Sequence, residues 1–391
     1  MIDLNQQQRE YIQLWYLLQH SLSAFYKLQT HFSSVSSALE PAHLLQWSKL
    51  GLHKNHLERL QEFSSPEGQK KFQQCLTLIE KHCDFICLNN ENNYPKQLLA
   101  FSDHPPILFG KGSLQNLSQP QVAVVGSRKP SPHGKQVAYD FAYYLSEKGY
   151  FITSGLAQGI DEAAHMGALK KQRAIAVVGT GLDMVYPNQN VPLQAQILEN
   201  AGTVISEFLP TTKPLQQHFP RRNRIVSGLS LGVLVAEAAQ SSGSLITAKL
   251  AAEQGKIVFA IPGHIYSEYH KGCHQLIREG AILVDHPEQI IEDLALPAQW
   301  QKQGQLLEAS ERSEEISDDH SQEISHPISQ DIPEHLFNIY QELDWIGIEI
   351  DQLAAKLNFS IAELTSHLME LELLGLCIQQ SGLYLRCRKL Y

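Results

Sequence analysis

Three rhythms of apolar and polar positions divide this chain. Over roughly the first 80 residues the apolar side chains recur at helical spacing: Tyr11, Leu14, Leu17 and Leu18, then Leu44, Leu45, Trp47 and Leu50. A serine-rich break at 33–37, Pro41 and Gly51 cut that pattern into short segments, predicting several brief helices and no strands. From about 84 to 297 short β-branched runs alternate with helical stretches. The runs at 122–125, 151–153, 174–178, 202–206, 232–236, 257–261 and 282–284 read as strands. Helices fit between them at 136–147, 160–170 and 244–253. Such alternation predicts a doubly wound, Rossmann-like α/β layer with a mostly parallel sheet covered on both faces. Beyond 332 the apolar faces of 336–343, 351–357 and 360–374 predict three helices. Ser360 and Glu363 form a capping box for the last, and 377–379 with 384–386 follow as a two-stranded wing.

The expected organisation is therefore a small all-α (SAM/HhH-like) domain at 1–83, the α/β domain at 84–298, a linker at 299–331 and a winged-helix domain at 332–391. The linker is rich in Ser, Glu, Asp, Gln and His, and too poor in apolar residues to offset the entropy of ordering. Between 308 and 334 nine carboxylates face Arg312 alone, a local charge of −8. Since the whole chain carries −10, the rest carries only −2, so the acidic total does not exclude a basic cleft or a nucleic-acid partner.

With 391 residues and 43% hydrophobic composition the chain can bury substantial cores, which excludes collagen-like, mucin-like and wholly disordered classes. No apolar run reaches the roughly 20 residues a spanning helix needs, and the first residues lack a signal-peptide pattern. A cytoplasmic protein with no membrane association is expected. The six cysteines are scattered without a C-x-x-C. His82, Cys83 and Cys87 lie close together but no second ligand pair follows, so no metal is expected.

The chemistry sits in the loops that leave the strands. Gly126-Ser127-Arg128 comes after the first; Gly155 and Gly159 lie after the second, Gly179 and Gly181 after the third, and Ser242-Gly243-Ser244 after the fifth. In an open parallel sheet these loops share the carboxyl edge, where glycines admit a close ligand and helix N-termini point N–H groups at anions. Phe219-Pro220-Arg221-Arg222-Asn223-Arg224 is the densest basic cluster, and Lys271 lies beyond the sixth strand. Arginine forks match phosphate oxygens, and an aromatic among them suits sequence-tolerant gripping of a single strand.

Enzyme readings fare poorly. A nicotinamide fingerprint needs G-x-G-x-x-G, but Gly179-x-Gly181 leads to Met184; the P-loop pattern is absent. Ser154, Asp161 and His165 are hydrolase candidates only by proximity, and Asp161 with His165 at i, i+4 suits capping or packing.

These residues resemble the DNA-processing protein A family (DprA, also called Smf). The matching segments are Val124-Val-Gly-Ser-Arg128, Ser154-Gly-Leu-Ala-Gln-Gly-Ile-Asp161 with Ala163-Ala-His165, and Val177-Val-Gly-Thr-Gly-Leu-Asp183 with Tyr186-Pro187. Others are Phe219-Pro-Arg-Arg-Asn-Arg-Ile225, Ser242-Gly-Ser-Leu-Ile-Thr-Ala248 and Ile261-Pro-Gly263, so the resemblance covers about 84 to 285. It implies a non-enzymatic, cofactor-free binder of single-stranded DNA acting as a homodimer in natural transformation. Such a protein protects incoming strands and loads RecA onto DNA covered by single-strand-binding protein. It further implies that Gly126, Ser127 and Arg128 cradle phosphate, Arg222 and Arg224 contact backbone, and Gly243 and Ser244 offer a helix N-terminus. Two departures stand out: His274 where the family carries Asn, and a third winged-helix segment at 360–374 without Lys or Arg. A major-groove reader needs cations, so this winged helix is expected to contact protein or serve structure. The alternatives are a nucleotide-binding sensor, or a phosphoribohydrolase-like enzyme of the cytokinin-activating type. The latter resemblance lacks its glutamate, for the counterpart here runs Thr247-Ala248-Lys249-Leu250.

Overall fold

The computed structural model describes residues 2–295, 333–343, 348–357, 359–374, 376–380 and 383–386. The expected linker at 299–331 lies outside them. Contacts divide the chain into two units, Met1–Glu311 and Arg312–Tyr391.

The first unit opens with six helices: α1 (Gln6–Leu17), α2 (Leu22–Phe32), α3 (Val35–Ala38), α4 (Pro41–Leu44), α5 (Lys54–Phe63) and α6 (Pro66–His82). Local chemistry sets their starts. Asn5 and Gln8 make a reciprocal capping box for α1, and the Ser65 hydroxyl accepts the Gly68 N–H at α6, with Pro66 in the first turn.

A nine-stranded sheet follows: β1 (Phe85–Leu88), β2 (Ile107–Gly112), β3 (Gln121–Gly126), β4 (Phe151–Ser154), β5 (Ala174–Val177), β6 (Thr203–Ser206), β7 (Gly232–Glu237), β8 (Ile257–Ala260) and β9 (Ile282–Leu283). The spatial order is β1-β2-β6-β5-β4-β3-β7-β8-β9. All seven strands read from the sequence are present and parallel to one another; β1 and β2, unread there, form an antiparallel flank against β6. Further helices of this unit include α7 (Lys96–Leu99), α8 (Pro132–Glu147), α9 (Ile160–Leu169), α10 (Val191–Glu199), α11 (His218–Leu229), α12 (Ser244–Glu253) and α13 (Lys271–Arg278). The chain thus runs β3 to β6 in one direction, then crosses back to lay β7, β8 and β9 on the other side of β3. The switch point falls between β3 and β7.

Both sheet faces are covered, and strand residues alternate between two cores with period two. Val122, Val124, Ala174, Ala176 and Leu234 face one; Ala123, Val125, Ile175, Val177, Val233 and Val235 face the other. The first core runs without interruption into the helical front through Trp15, Phe25, Leu28 and Trp47, so no gap in packing marks residue 83. Trp15 and Trp47 are fully buried, each large apolar side chain of this kind contributing about 1.5–3 kcal/mol.

The second unit has α14 (Glu334–Glu342), α15 (Ile350–Leu357), α16 (Ile361–Leu373) and a small sheet ordered β10-β12-β11 (Ile348–Glu349, Leu383–Arg386, Cys377–Gln380). Leu336, Ile339, Leu353, Leu364, Leu368 and Leu371 form its core, and Ser360 and Glu363 make the expected capping box. This is a winged helix. Among the described residues no helix is long and apolar enough to cross a membrane.

Candidate functional site

A cleft of about 780 Å³ opens at the carboxyl edge of the sheet, across the switch point. Its floor starts with Gly126 at the end of β3. A methyl group there would collide with Ile160 and with the Glu237 carbonyl 2.7 Å away, so only glycine lets β3 approach β7 and α9 this closely. The Ser127 N–H then donates to the Glu237 carbonyl (2.8 Å), turning the chain so that Arg128 and Lys129 stand exposed at the rim.

Internal carboxylates occupy two of the nests on this edge. Glu237, buried at the end of β7, accepts the Ser131 N–H at 3.1 Å and the Ser131 hydroxyl at 2.5 Å, filling the N-terminus of α8 with negative charge. Burial pushes its carboxyl pKa upward. Asp161 accepts the Gly155 N–H (3.0 Å) and the Ala157 N–H (3.3 Å). Burial also raises its pKa, against the pull of Arg222 and those two donors. Where dinucleotide folds seat a pyrophosphate, this chain has already placed a carboxylate.

The N-terminus of α12 also faces the cleft, flanked by hydroxyls. Gly243 precedes it, the Ser242 hydroxyl accepts the Ser244 N–H at 3.4 Å, and a methyl group at Gly243 would meet nothing. Ser242 and Ser244 hydroxyls lie 2.7 Å apart beside it. At the far, β5 end stand Phe219, on the first turn of α11, and Tyr186, with ring centroids 5.5 Å apart. The Arg128 guanidinium lies over the Phe219 ring at 5.2 Å.

Helix α11 separates the basic cluster by rotation. Arg222 points into the cleft floor, 5% exposed, where its Nη1 donates to the Val177 carbonyl (2.5 Å). Burial lowers its pKa to about 10 while Asp161 opposes the shift, so it stays cationic at neutral pH. Arg221 and Arg224, one turn apart, face the other way. Both donate to the fully buried Glu207: Arg221 through Nε (3.0 Å) and Nη2 (2.7 Å), Arg224 through Nη2 (2.5 Å). Arg221 also stacks on Trp15 and Phe208, and the Trp15 indole donates to the Glu207 carbonyl (2.8 Å). These two arginines tie α11 and the helical front to β6.

Of the residues singled out from sequence, Gly126, Ser127, Arg128, Gly155, Phe219, Arg222, Asn223, Ser242, Gly243 and Ser244 line the cleft. Six do not. Arg221 and Arg224 are committed to Glu207. Gly159 (φ +88°) packs under the Ser127–Pro130 turn, Gly179 lies against the Phe219 ring, and Gly181 donates to the Thr212 carbonyl. Lys271 pairs with Glu268 at 2.5 Å. His274, the residue that departs from the family pattern, sits 2.9 Å from the Gly263 carbonyl. Sequence reasoning missed Lys129, Tyr186 and Thr247 as lining residues; for Lys129 the signal was its place next to Arg128. The lining cations Arg128, Lys129 and Arg222 face one carboxylate, Asp161, so the cleft is net positive. His165, on α9 below Asp161, is fully buried without a partner for either ring nitrogen among the described residues, and burial drives its pKa down to about 3. Cys83 and Cys87 are buried thiols, and burial pushes each up to about 12.

An open α/β sheet with a cationic, aromatic-flanked cleft at its switch point defines a Rossmann-like protein, extended here by a winged helix. The chain belongs to the DNA recombination-mediator protein A family, known as DprA or Smf: the family model matches residues 85–295, and the DprA winged helix domain matches 336–382. It is 41% identical to Protein Smf of Escherichia coli over 322 residues, 82% of each chain. It is 49% identical to the DNA processing protein DprA of Streptococcus pneumoniae over 201 residues, covering 51% of this chain and 71% of that one. The X-ray structure of the pneumococcal protein superposes with a TM-score of 0.63 at 35% identity, covering 74% of this chain and 98% of that one.

Proposed function

We propose that this protein processes DNA by holding single strands in the switch-point cleft. The carrying observation is the pairing, in one cleft, of exposed Arg128 and Lys129 and floor-set Arg222 with the Tyr186–Phe219 rings and the hydroxyl-flanked α12 N-terminus. Cations track a phosphate backbone, rings accept bases of any sequence, and an open edge admits a flexible strand where a duplex would not fold into it. Membership in a family with DNA processing in its relatives' names supports the same reading, and with it the roles in transformation: protecting incoming strands, acting as a homodimer in the cytoplasm, and handing DNA to RecA in the presence of single-strand-binding protein. The reading is of a binder and not an enzyme. Asp161, the carboxylate of the cleft, is engaged by two backbone N–H groups, and α12 carries Ala248, Lys249 and Leu250 where the phosphoribohydrolase pattern needs its glutamate.

The test is a titration of labelled single-stranded and duplex oligonucleotides at two salt concentrations. Wild type should prefer the single strand. Arg128→Ala and Lys129→Ala should each weaken binding and reduce the log–log salt slope by about 1 per lost phosphate contact. Equal affinity of these variants and wild type would remove the cleft from consideration and bring forward a small-nucleotide sensor.

A further inference from the structure

The cleft is chemically sided. Its β5 end carries Tyr186, Phe219 and Pro220, and its β7 end carries Ser242, Gly243 and Ser244. Hydroxyls and helix N–H groups suit phosphate oxygens; rings suit bases. Phe219, however, has little free face: it is half-buried, the Arg128 guanidinium lies over it, and Gly179 packs close enough that a methyl there would stand 3.4 Å from the ring. Tyr186 leans on Phe219 at 35° between planes, yet is 40% exposed. A ring supported on one side and open on the other is ready to take another aromatic plane.

Resting on the single-strand reading of this cleft, we propose that Tyr186 is its base-stacking residue. Phe219 and Arg128 are then the column that holds it, and the strand lies with bases toward β5 and phosphates toward the N-terminus of α12. Selectivity follows from the chemistry: a stacking site discriminates by the area of the base, so a purine tract should bind more tightly than a pyrimidine tract, and an abasic tract least.

The experiment uses the full-length protein with oligonucleotides carrying 2-aminopurine, whose fluorescence is quenched on stacking, and matched abasic strands. Wild type should quench 2-aminopurine and lose affinity for the abasic strand. Tyr186→Ala should lose the quench and bind the ordinary strand about five-fold or more weakly, with the abasic penalty reduced. Tyr186→Phe should behave as wild type, separating the ring from the hydroxyl. An unchanged melting temperature in both variants, expected for a side chain this exposed, shows the loss is not one of folding. If wild type binds the strand and Tyr186→Ala binds and quenches equally, the stacking role is overturned while the single-strand reading stands. If wild type binds no single strand, both fall together.

Discussion

The Glu207 anchor makes a quantitative prediction. Glu207 is fully buried, and its carboxylate is the partner of Arg224, whose side chain is 6% exposed, and of Arg221, at 25%. Replacing Glu207 by Ala removes one buried charge and strands another. Arg221, already a quarter exposed, can swing its guanidinium toward water at the cost of its contacts with the Trp15 and Phe208 rings. Arg224 cannot, and its remaining carboxylate, Asp103, is 3.9 Å away and half exposed. Breaking a buried pair from one side costs about 3–5 kcal/mol, most of it the desolvation of the group left behind. Glu207→Ala should therefore destabilise the first unit by about 3 kcal/mol or more, and Arg221→Ala by clearly less. If the penalty is the stranded buried charge, the double variant Glu207→Met/Arg224→Met should lose less than Glu207→Met or Arg224→Met alone, since the one ion left without its partner, Arg221, is a quarter exposed. Urea denaturation followed by tryptophan fluorescence, with Trp15 packed against this site, measures them all. A loss below about 1 kcal/mol for Glu207→Ala, or singles that simply add in the double variant, would refute the reasoning.

Three further outcomes are expected. His165 and His20 are held neutral, both with pKa values driven to about 3 by burial, and the His20 Nε2 accepts the Leu209 N–H. Unfolding restores their ordinary value near 6.5 and takes up protons, so stability is full above that pH and falls as pH drops toward 3. Between about pH 7.5 and 5 each histidine should remove about 2 kcal/mol, and His165→Leu should flatten the curve of unfolding free energy against pH. In Gly155→Ala the new methyl group would strike the Arg222 guanidinium, so strand affinity should fall with Arg222 displaced; unchanged binding would mean that Arg222 does not act from its observed position. Gly243→Ala meets open space and should fold normally, as thermal melting would confirm.

Much of this was legible in the sequence, for physical reasons that also explain the gaps. Strands β3 to β8 sit under helices on both faces, so they read as unbroken runs such as Ala174–Val177 between glycine turns. The flank strands escaped notice because β1 follows α6 after only two residues, with no turn signal between them, and because β2 ends in Gly110-Lys111-Gly112. The basic cluster looked like one surface because adjacency in sequence hides rotation. At about 100° per residue, Arg221 and Arg224 share a face and Arg222 does not. Nothing local announces that Glu207, 14 and 17 residues upstream, claims two of the three. Tyr186 lay inside a recognised motif, but its exposure depends on the packing around the β5 loop, which periodicity does not report.

The unbroken core beneath the helical front bears on how such a chain can be rearranged. The winged helix carries its own packed interior, so it can be exchanged for another module at the division between Glu311 and Arg312 as one swaps an attachment. The front cannot be traded that way. Removing it would strip Trp15 from the Glu207 carbonyl, take His20 from the Phe208 ring and the Leu209 N–H, and unseat the hydrogen bond from Tyr26 to the His104 carbonyl. Any replacement must be designed together with the sheet. Variation between related chains should therefore be modular at the C-terminal end and coordinated, residue against residue, at the N-terminal end.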